Sequence, residues 1–212
     1  MNLWNSIGLI AWVVLLAYLI FIIINIRQRH LKMVVQEHKT RSLKTTLIDI
    51  AEVIVLFVAV WGMVWVTWLR PVDFTDKSSV TIKHSYNNLV LKTGDTHSYF
   101  VSVRSGNGKH PIRYYTYWTE GARYQISSLN ATIADGVDPL TMSASAYPWS
   151  KKTLTKMDKI TEKAYVATMT ATYKDTFLNG LGMHAGKTAD HFSLIRIPNE
   201  TFVQVNPVED QD

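Results

Sequence analysis

The chain has 212 residues, with 22 Lys and Arg against 17 Asp and Glu, seven His and no cysteine. That length allows one or two domains, and the lack of cysteine excludes disulfides, thiolate metal sites and cysteine nucleophiles. Of the first 70 residues, 45 are apolar and ten are charged, while the other 29 charges fall in residues 71–212; such a split excludes a single uniform globule and an extended disordered chain. Basic residues outnumber acids seven to three in the first 70, so the positive balance is a topology signal, and no nucleic-acid partner is expected.

Leu3 to Ile26 is a run of 24 residues without a charge. As a helix it reaches about 36 Å, enough to cross a ~30 Å hydrocarbon core with some tilt. Nothing basic precedes it and no small-residue cleavage site follows, so it reads as an anchor rather than a cleaved leader. A second apolar run, Leu47 to Leu69, carries only Asp49 and Glu52, and Arg70-Pro71 ends it. Residues 1–70 therefore predict a transmembrane hairpin, with helices over about 3–26 and 47–69.

The loop 27–46 between them holds Arg27, Arg29, Lys32, Lys39, Arg41 and Lys44 against one acid, Glu37. Short basic loops stay in the cytoplasm. A two-pass protein of the cell membrane is expected, with its N-terminus and residues 71–212 outside. The same six cations are candidate contacts for anionic lipid, a bilayer being the first expected partner. Thr46 and Asp49 have capping-box spacing for the start of the second helix. Glu52 lies one turn deeper, where an unpaired carboxylate is costly, and Arg27 or Arg29 is its expected partner. Ala51, Val55, Ala59 and Gly62 line one face of that helix; Ala51, Ala59 and Gly62 are candidate helix-packing positions. Trp4, Trp65 and Trp68 fit an outer aromatic belt.

Residues 71–79 read as a linker, 80–206 as a domain with its own core, and 207–212 as an acidic tail. Strand-like pieces cover Val80–Tyr86, Leu89–Lys92, Ser98–Arg104, Ile112–Trp118, Leu140–Ala146, Tyr165–Tyr173, Phe192–Ile197 and Thr201–Val205, divided by Gly and Asn turns. Leu154, Met157 and Ile160 suggest one helix, whose other positions carry lysines. The predicted class is thus an α+β membrane protein: a two-helix transmembrane hairpin, then a mainly antiparallel β extracytoplasmic domain with one short helix.

The stretch Gly180–Thr188 has the end of a phosphate-binding loop, Gly186-Lys187-Thr188, but Leu181 stands where its first glycine belongs. A glycine-rich loop between two strands is the better reading, with Gly180, Gly182 and Gly186 at positive φ or in close backbone contact. The outer histidines have no HExxH or HxH spacing, so no metal site and no cofactor is expected. No linear catalytic signature is present. In Arg113–Trp118, Arg113, Tyr115 and Tyr117 share one side of a strand. That side is either packed on neighbouring strands or a candidate ligand surface for a sugar or peptide. The expected function is a membrane-anchored extracytoplasmic binding or accessory module of the cell envelope, its partner another membrane protein or an envelope polymer. An envelope hydrolase or transferase, and a non-catalytic subunit of a larger membrane complex, are the alternatives.

Three features together, the N-out hairpin, the basic Arg27-Gln28-Arg29-His30 and the segment FLNGLGMHAGK from Phe177 to Lys187, resemble uncharacterised small two-helix membrane proteins of lactic acid bacteria. The likeness spans the chain. It implies a Gram-positive cell envelope and no catalytic residues.

Overall fold

Long aliphatic runs with no internal breaker favour long helices, and two open the chain: α1 (Asn5–Gln36) and α2 (Leu43–Val64). The computed structural model describes residues 2–36, 43–94, 97–106 and 111–206. Lys39 and Arg41, and the acidic tail, lie outside the described residues. Helix α2 ends in a single π-helical turn, Trp65–Leu69, closed by the Arg70 N–H donating to the Trp65 carbonyl at 2.9 Å. The helices run antiparallel: Trp12 meets Trp68 at 5.7 Å between ring centroids, and near the other ends Arg29 reaches Asp49.

Two compact units form. The first comprises the residues up to Asp73, with Ser78–Val80 and Tyr173–Lys187; the second comprises Phe74–Lys77, Thr81–Thr172 and the chain from Thr188.

The second unit is α+β. Its strands are β1 (Val80–Asn88), β2 (Lys92–Thr93), β3 (Ser98–Tyr99), β4 (Val101–Ser105), β5 (Arg113–Thr119), β6 (Ala122–Ser127), β7 (Ala131–Ala134), β8 (Tyr165–Tyr173), β9 (Thr188–Arg196) and β10 (Val203–Asn206). Helices α3 (Met142–Ser145) and α4 (Lys151–Ile160) lie between β7 and β8; α5 (Phe177–Leu181), between β8 and β9 in the chain, belongs to the first unit. One sheet has the order β1-β8-β9-β7 and the other β10-β4-β5-β6.

Inner faces of the two sheets share one core: Val101, Val103, Tyr115 and Tyr117 from one, Ala131, Val166 and Ile195 from the other. A second core lies on the opposite face of the first sheet, where Tyr165, Ala167, Met169 and Ala171 of β8 meet Leu154 of α4 and Ala144 of α3. Period-two alternation sends odd and even residues of β8 to opposite faces, and both faces are covered, which is why Val166 is as buried as Tyr165.

The mainly antiparallel expectation holds for β2 with β3, β4 with β5, β5 with β6 and β8 with β9, while β7 pairs parallel to β9 and β10 parallel to β4. Other expectations are corrected. Leu140–Ala146 is not a strand: Thr141 caps α3 by accepting from the Ala144 N–H at 3.2 Å. Leu89–Lys92 gives only the two-residue β2, and Thr201–Val205 starts as a 3-10 turn, Glu200–Phe202. The expected pieces do not include β6 or β7: β6 alternates apolar Ala122, Tyr124 and Ile126 with polar Arg123, Gln125 and Ser127 and so carries a strand signal, whereas β7 has only four residues. Three short helices stand where one was expected. Thr46 is no cap, since α2 is already helical from Leu43.

Candidate functional site

In the second unit the space between the sheets opens as a cleft of about 420 Å³. Register explains its lining. On the inner face of β4 and β5, Val103 opposes Tyr115 and Ser105 opposes Arg113; Val205 of β10 opposes Val103 from the other side. Val203, Thr132 and Ile133 complete the wall. The lining is mixed, with Val103, Ile133, Val203 and Val205 beside Ser105, Arg113, Tyr115 and Thr132, so an occupant would meet aliphatic and polar groups together. Two of the three candidate ligand-surface residues, Arg113 and Tyr115, are therefore brought together here, although Tyr115 is buried rather than part of an exposed row.

Tyr117 takes the packed alternative for its side of the strand: it is buried in the inter-sheet core. The outer face of β5 carries Tyr114 and Trp118 instead, with Lys92 and Arg123 each within 6 Å of the Trp118 ring.

Burial pushes the Tyr115 phenol up, and the Arg113 charge pulls it part of the way back. The hydroxyl thus stays protonated and able to donate at neutral pH. Arg113 is exposed, and no acidic partner holds it among the described residues. The cleft can accept an apolar group along Val103, Ile133 and Val203 and an anionic or carbonyl group at Arg113. Among the described residues no cluster of His, Asp or Glu has the geometry to hold a metal ion.

The first unit places the other candidates. Its helix pair half-buries a polar cluster: Arg29 bonds Asp49 at 2.6 Å and also Glu52, and Asn25 donates to Glu52 at 3.2 Å. Arg29 is thus the partner expected for Glu52, and two carboxylates face it across the pair. Arg27, Lys32 and Lys44 are exposed. Ala59 is half-buried, whereas Ala51 and Gly62 are exposed, and a Cβ built at Gly62 would meet nothing within 4 Å.

Residues Tyr173–Lys187 close this unit. A Cβ at Gly180 would fall 2.5 Å from the Trp4 carbonyl, and one at Gly182 would fall 2.8 Å from the Val66 carbonyl. Backbone-to-backbone packing is what the glycines permit. Of Gly180, Gly182 and Gly186, the last alone has positive φ, +75°. Asn179 is fully buried; its Nδ2 donates to the Ser79 and Lys174 carbonyls at 2.8 and 2.9 Å, and its Oδ1 accepts from Arg70 at 3.3 Å and the Ser79 hydroxyl at 3.2 Å. No sequence signal marked Asn179, because a buried amide has no linear pattern.

No curated protein and no solved structure matches this chain. A family model named after a Lactobacillus locus matches residues 3–204, across both units. The protein belongs to that family, the resemblance to lactic acid bacterial proteins read from the sequence.

Proposed function

We propose that the protein is a two-pass membrane protein in which α1 and α2 form a transmembrane hairpin. The basic loop lies in the cytoplasm, and the N-terminus and the β-rich unit lie outside. There the β-rich unit acts as a binding or accessory module of the cell envelope, taking its partner in the cleft at Arg113 and Tyr115.

One observation carries this reading: the helix pair is inside out for a water-soluble protein. Leu9, Ile10, Val13, Val14, Leu16, Ile20 and Phe21 of α1 are exposed, as are Ile54, Val55, Phe57 and Val58 of α2. The polar Asn5, Asn25, Arg29, Asp49 and Glu52 turn inward. Water would penalise such a surface at ~25 cal/mol per Å² of apolar area, whereas lipid requires it and disfavours charges facing outward. Both helices also have the length and hydropathy to span a bilayer.

The absence of native cysteine makes the test direct. Leu43→Cys and Ser143→Cys, both at exposed positions, are introduced separately and probed in intact cells with a membrane-impermeant maleimide. Ser143→Cys is expected to label at once and Leu43→Cys only after lysis. The opposite pattern, or labelling of both before lysis, overturns the topology.

A second reading has its own observation. The open space at Gly62 and the exposure of Ala51 leave a small-residue face of α2 that another helix could approach closely. A subunit role in a larger membrane complex would use that face. Co-purification in mild detergent, lost on Gly62→Leu, would favour it.

A further inference from the structure

Helix α4 has an outer face whose charges are all positive, and its construction explains why. Of its ten residues, four are lysines and one is an acid, Asp158. That acid is turned inward, where Arg196 donates to its two carboxylate oxygens at 3.0 and 2.8 Å. Arg196 is fully buried and also donates to the carbonyls of Ala134, Gly136 and Asp138. Leu154 is buried in the core, and its carbonyl accepts from the Tyr165 hydroxyl at 3.2 Å. Ser150 caps the first turn. The helix is thus clamped along one side by apolar burial, a buried ion pair and a cap.

The opposite side keeps only positive charge. Lys151 is paired with Asp138 at 3.5 Å. Lys152, Lys156 and Lys159 have no acidic partner among the described residues. Their spacing of four and then three residues puts them on one face, spread over about 10 Å of helix. Between them lies a surface hollow of about 560 Å³, lined by Lys152, Thr153, Thr155, Lys156 and Lys159. Three like charges this close repel one another, and no internal acid offsets the cost. A ligand that brings its own repeated negative charge would.

We propose that this face binds a linear phosphodiester polyanion, with Lys152, Lys156 and Lys159 meeting successive phosphates and the hollow taking the linker between them. The proposal rests on reading the β-rich unit as an envelope-binding module, and it names that module's ligand class. A linear row of cations along one helix face suits a flexible chain of repeated negative charge. A helix that lies on a bilayer carries aromatic or large apolar anchors among its lysines, and no aromatic residue lies between Lys152 and Lys159.

The test uses the full chain in nanodiscs of neutral phosphatidylcholine, titrated against fluorescently labelled poly(glycerol phosphate). Three proteins are compared: the unaltered chain, the triple variant Lys152→Gln/Lys156→Gln/Lys159→Gln, and a control, Lys83→Gln/Arg123→Gln, which removes exposed cations elsewhere in the unit. The triple variant is expected to bind about tenfold more weakly or worse, and its log-affinity against log-salt slope to flatten by about three. The control is expected to stay within about twofold. Equal binding by the unaltered chain and the triple variant overturns the proposal. So does an equal loss in the control, which would reduce the effect to net charge. Capture of phosphatidylglycerol vesicles without capture of the polymer also overturns it, in favour of a lipid surface. Because nanodiscs fix no orientation, a failed topology experiment would leave this result standing, and the two failures are distinguishable.

Discussion

The main-chain carbonyl of Thr67 accepts a hydrogen bond from the His184 imidazole Nε2, 2.9 Å away. Four residues beyond Thr67, where a continuing helix would supply an N–H, stands Pro71, which has none. A buried orphan carbonyl is costly, and the side chain from the closing segment satisfies it. The same imidazole stacks on Tyr173 with centroids 5.0 Å apart. His184→Ala is expected to lower stability by about 1–3 kcal/mol, the cost of leaving the carbonyl unpaired. His184→Gln, which restores a donor, should recover part of it. Thermal unfolding of the full chain in mild detergent checks both; an Ala variant as stable as the parent would deny His184 its role.

Asn179 makes a sharper test, because its two chemical ends do different work. Its amide nitrogen holds the carbonyls of Ser79 and Lys174, and its oxygen receives Arg70 and the Ser79 hydroxyl. Asn179→Asp would strengthen the attraction to Arg70 but set a carboxylate against two carbonyl oxygens. A loss of about 2–4 kcal/mol is expected for Asn179→Asp and for Asn179→Ala alike. If Asp restored parent-like unfolding, the Arg70 contact would be the dominant one and this assignment would fail.

The uneven legibility of this fold has physical causes. The strand Tyr165–Tyr173 was readable to the residue, because its alternation is local and strong. The long helices were readable from apolar length alone, and the stripe of Leu31, Val34 and Val35 already extends the first of them past the charge-free run that ends at Ile26, as α1 does by ten residues. The parallel pairings of β7 with β9 and β10 with β4 were not readable, since the partners are distant in sequence and pairing direction leaves no trace in either strand. Gly180 and Gly182 announced a close backbone approach without saying to what; the answer, Trp4 and Val66, lies more than 100 residues upstream. At the cleft, Arg113 and Tyr115 were singled out as aromatic-strand residues, but only the register with Ser105 and Val103 placed them at the mouth of an inter-sheet space.

Arg29 faces both Asp49 and Glu52, so removing different members of the trio should have opposite consequences. Glu52→Gln leaves Arg29 paired with Asp49 and keeps an acceptor for Asn25. It is expected to change folding and protein level little. Arg29→Gln strands two carboxylates between the helices and should cost about 3 kcal/mol or more, as breaking a part-buried ion pair does. Adding Asp49→Asn and Glu52→Gln to Arg29→Gln should restore the level of membrane-extracted, folded protein. A harmless Arg29→Gln, or a triple variant no better than the single, would show that the trio contributes nothing to the helix pair.

Tyr165 gives a pH signature that a purely structural hydroxyl would not. Burial pushes its phenol well above the ordinary value of 10.0, and the nearby Asp158 charge pushes it further. In the unfolded chain the phenol ionises near 10, while in the folded one it stays protonated. Between those values the unfolded state has fewer bound protons, so stability falls as pH rises past about 10, by roughly 1 kcal/mol per pH unit. Below pH 10 both states hold the proton and this contribution is constant. Tyr165→Phe loses the bond to the Leu154 carbonyl and should be less stable at neutral pH by about 1 kcal/mol. It cannot ionise when unfolded, so its deficit should shrink above pH 10 and vanish roughly one unit higher. Tyr86, Tyr115, Tyr117 and Tyr147 are raised by burial as well, so both proteins will weaken in alkali and the difference between them isolates Tyr165. Denaturant unfolding of the β-rich unit within the full chain, followed by near-ultraviolet circular dichroism across neutral to strongly alkaline pH, measures that difference. A deficit that stays constant across the whole range would mean that the Tyr165 phenol titrates alike in both states, against its burial in the second core.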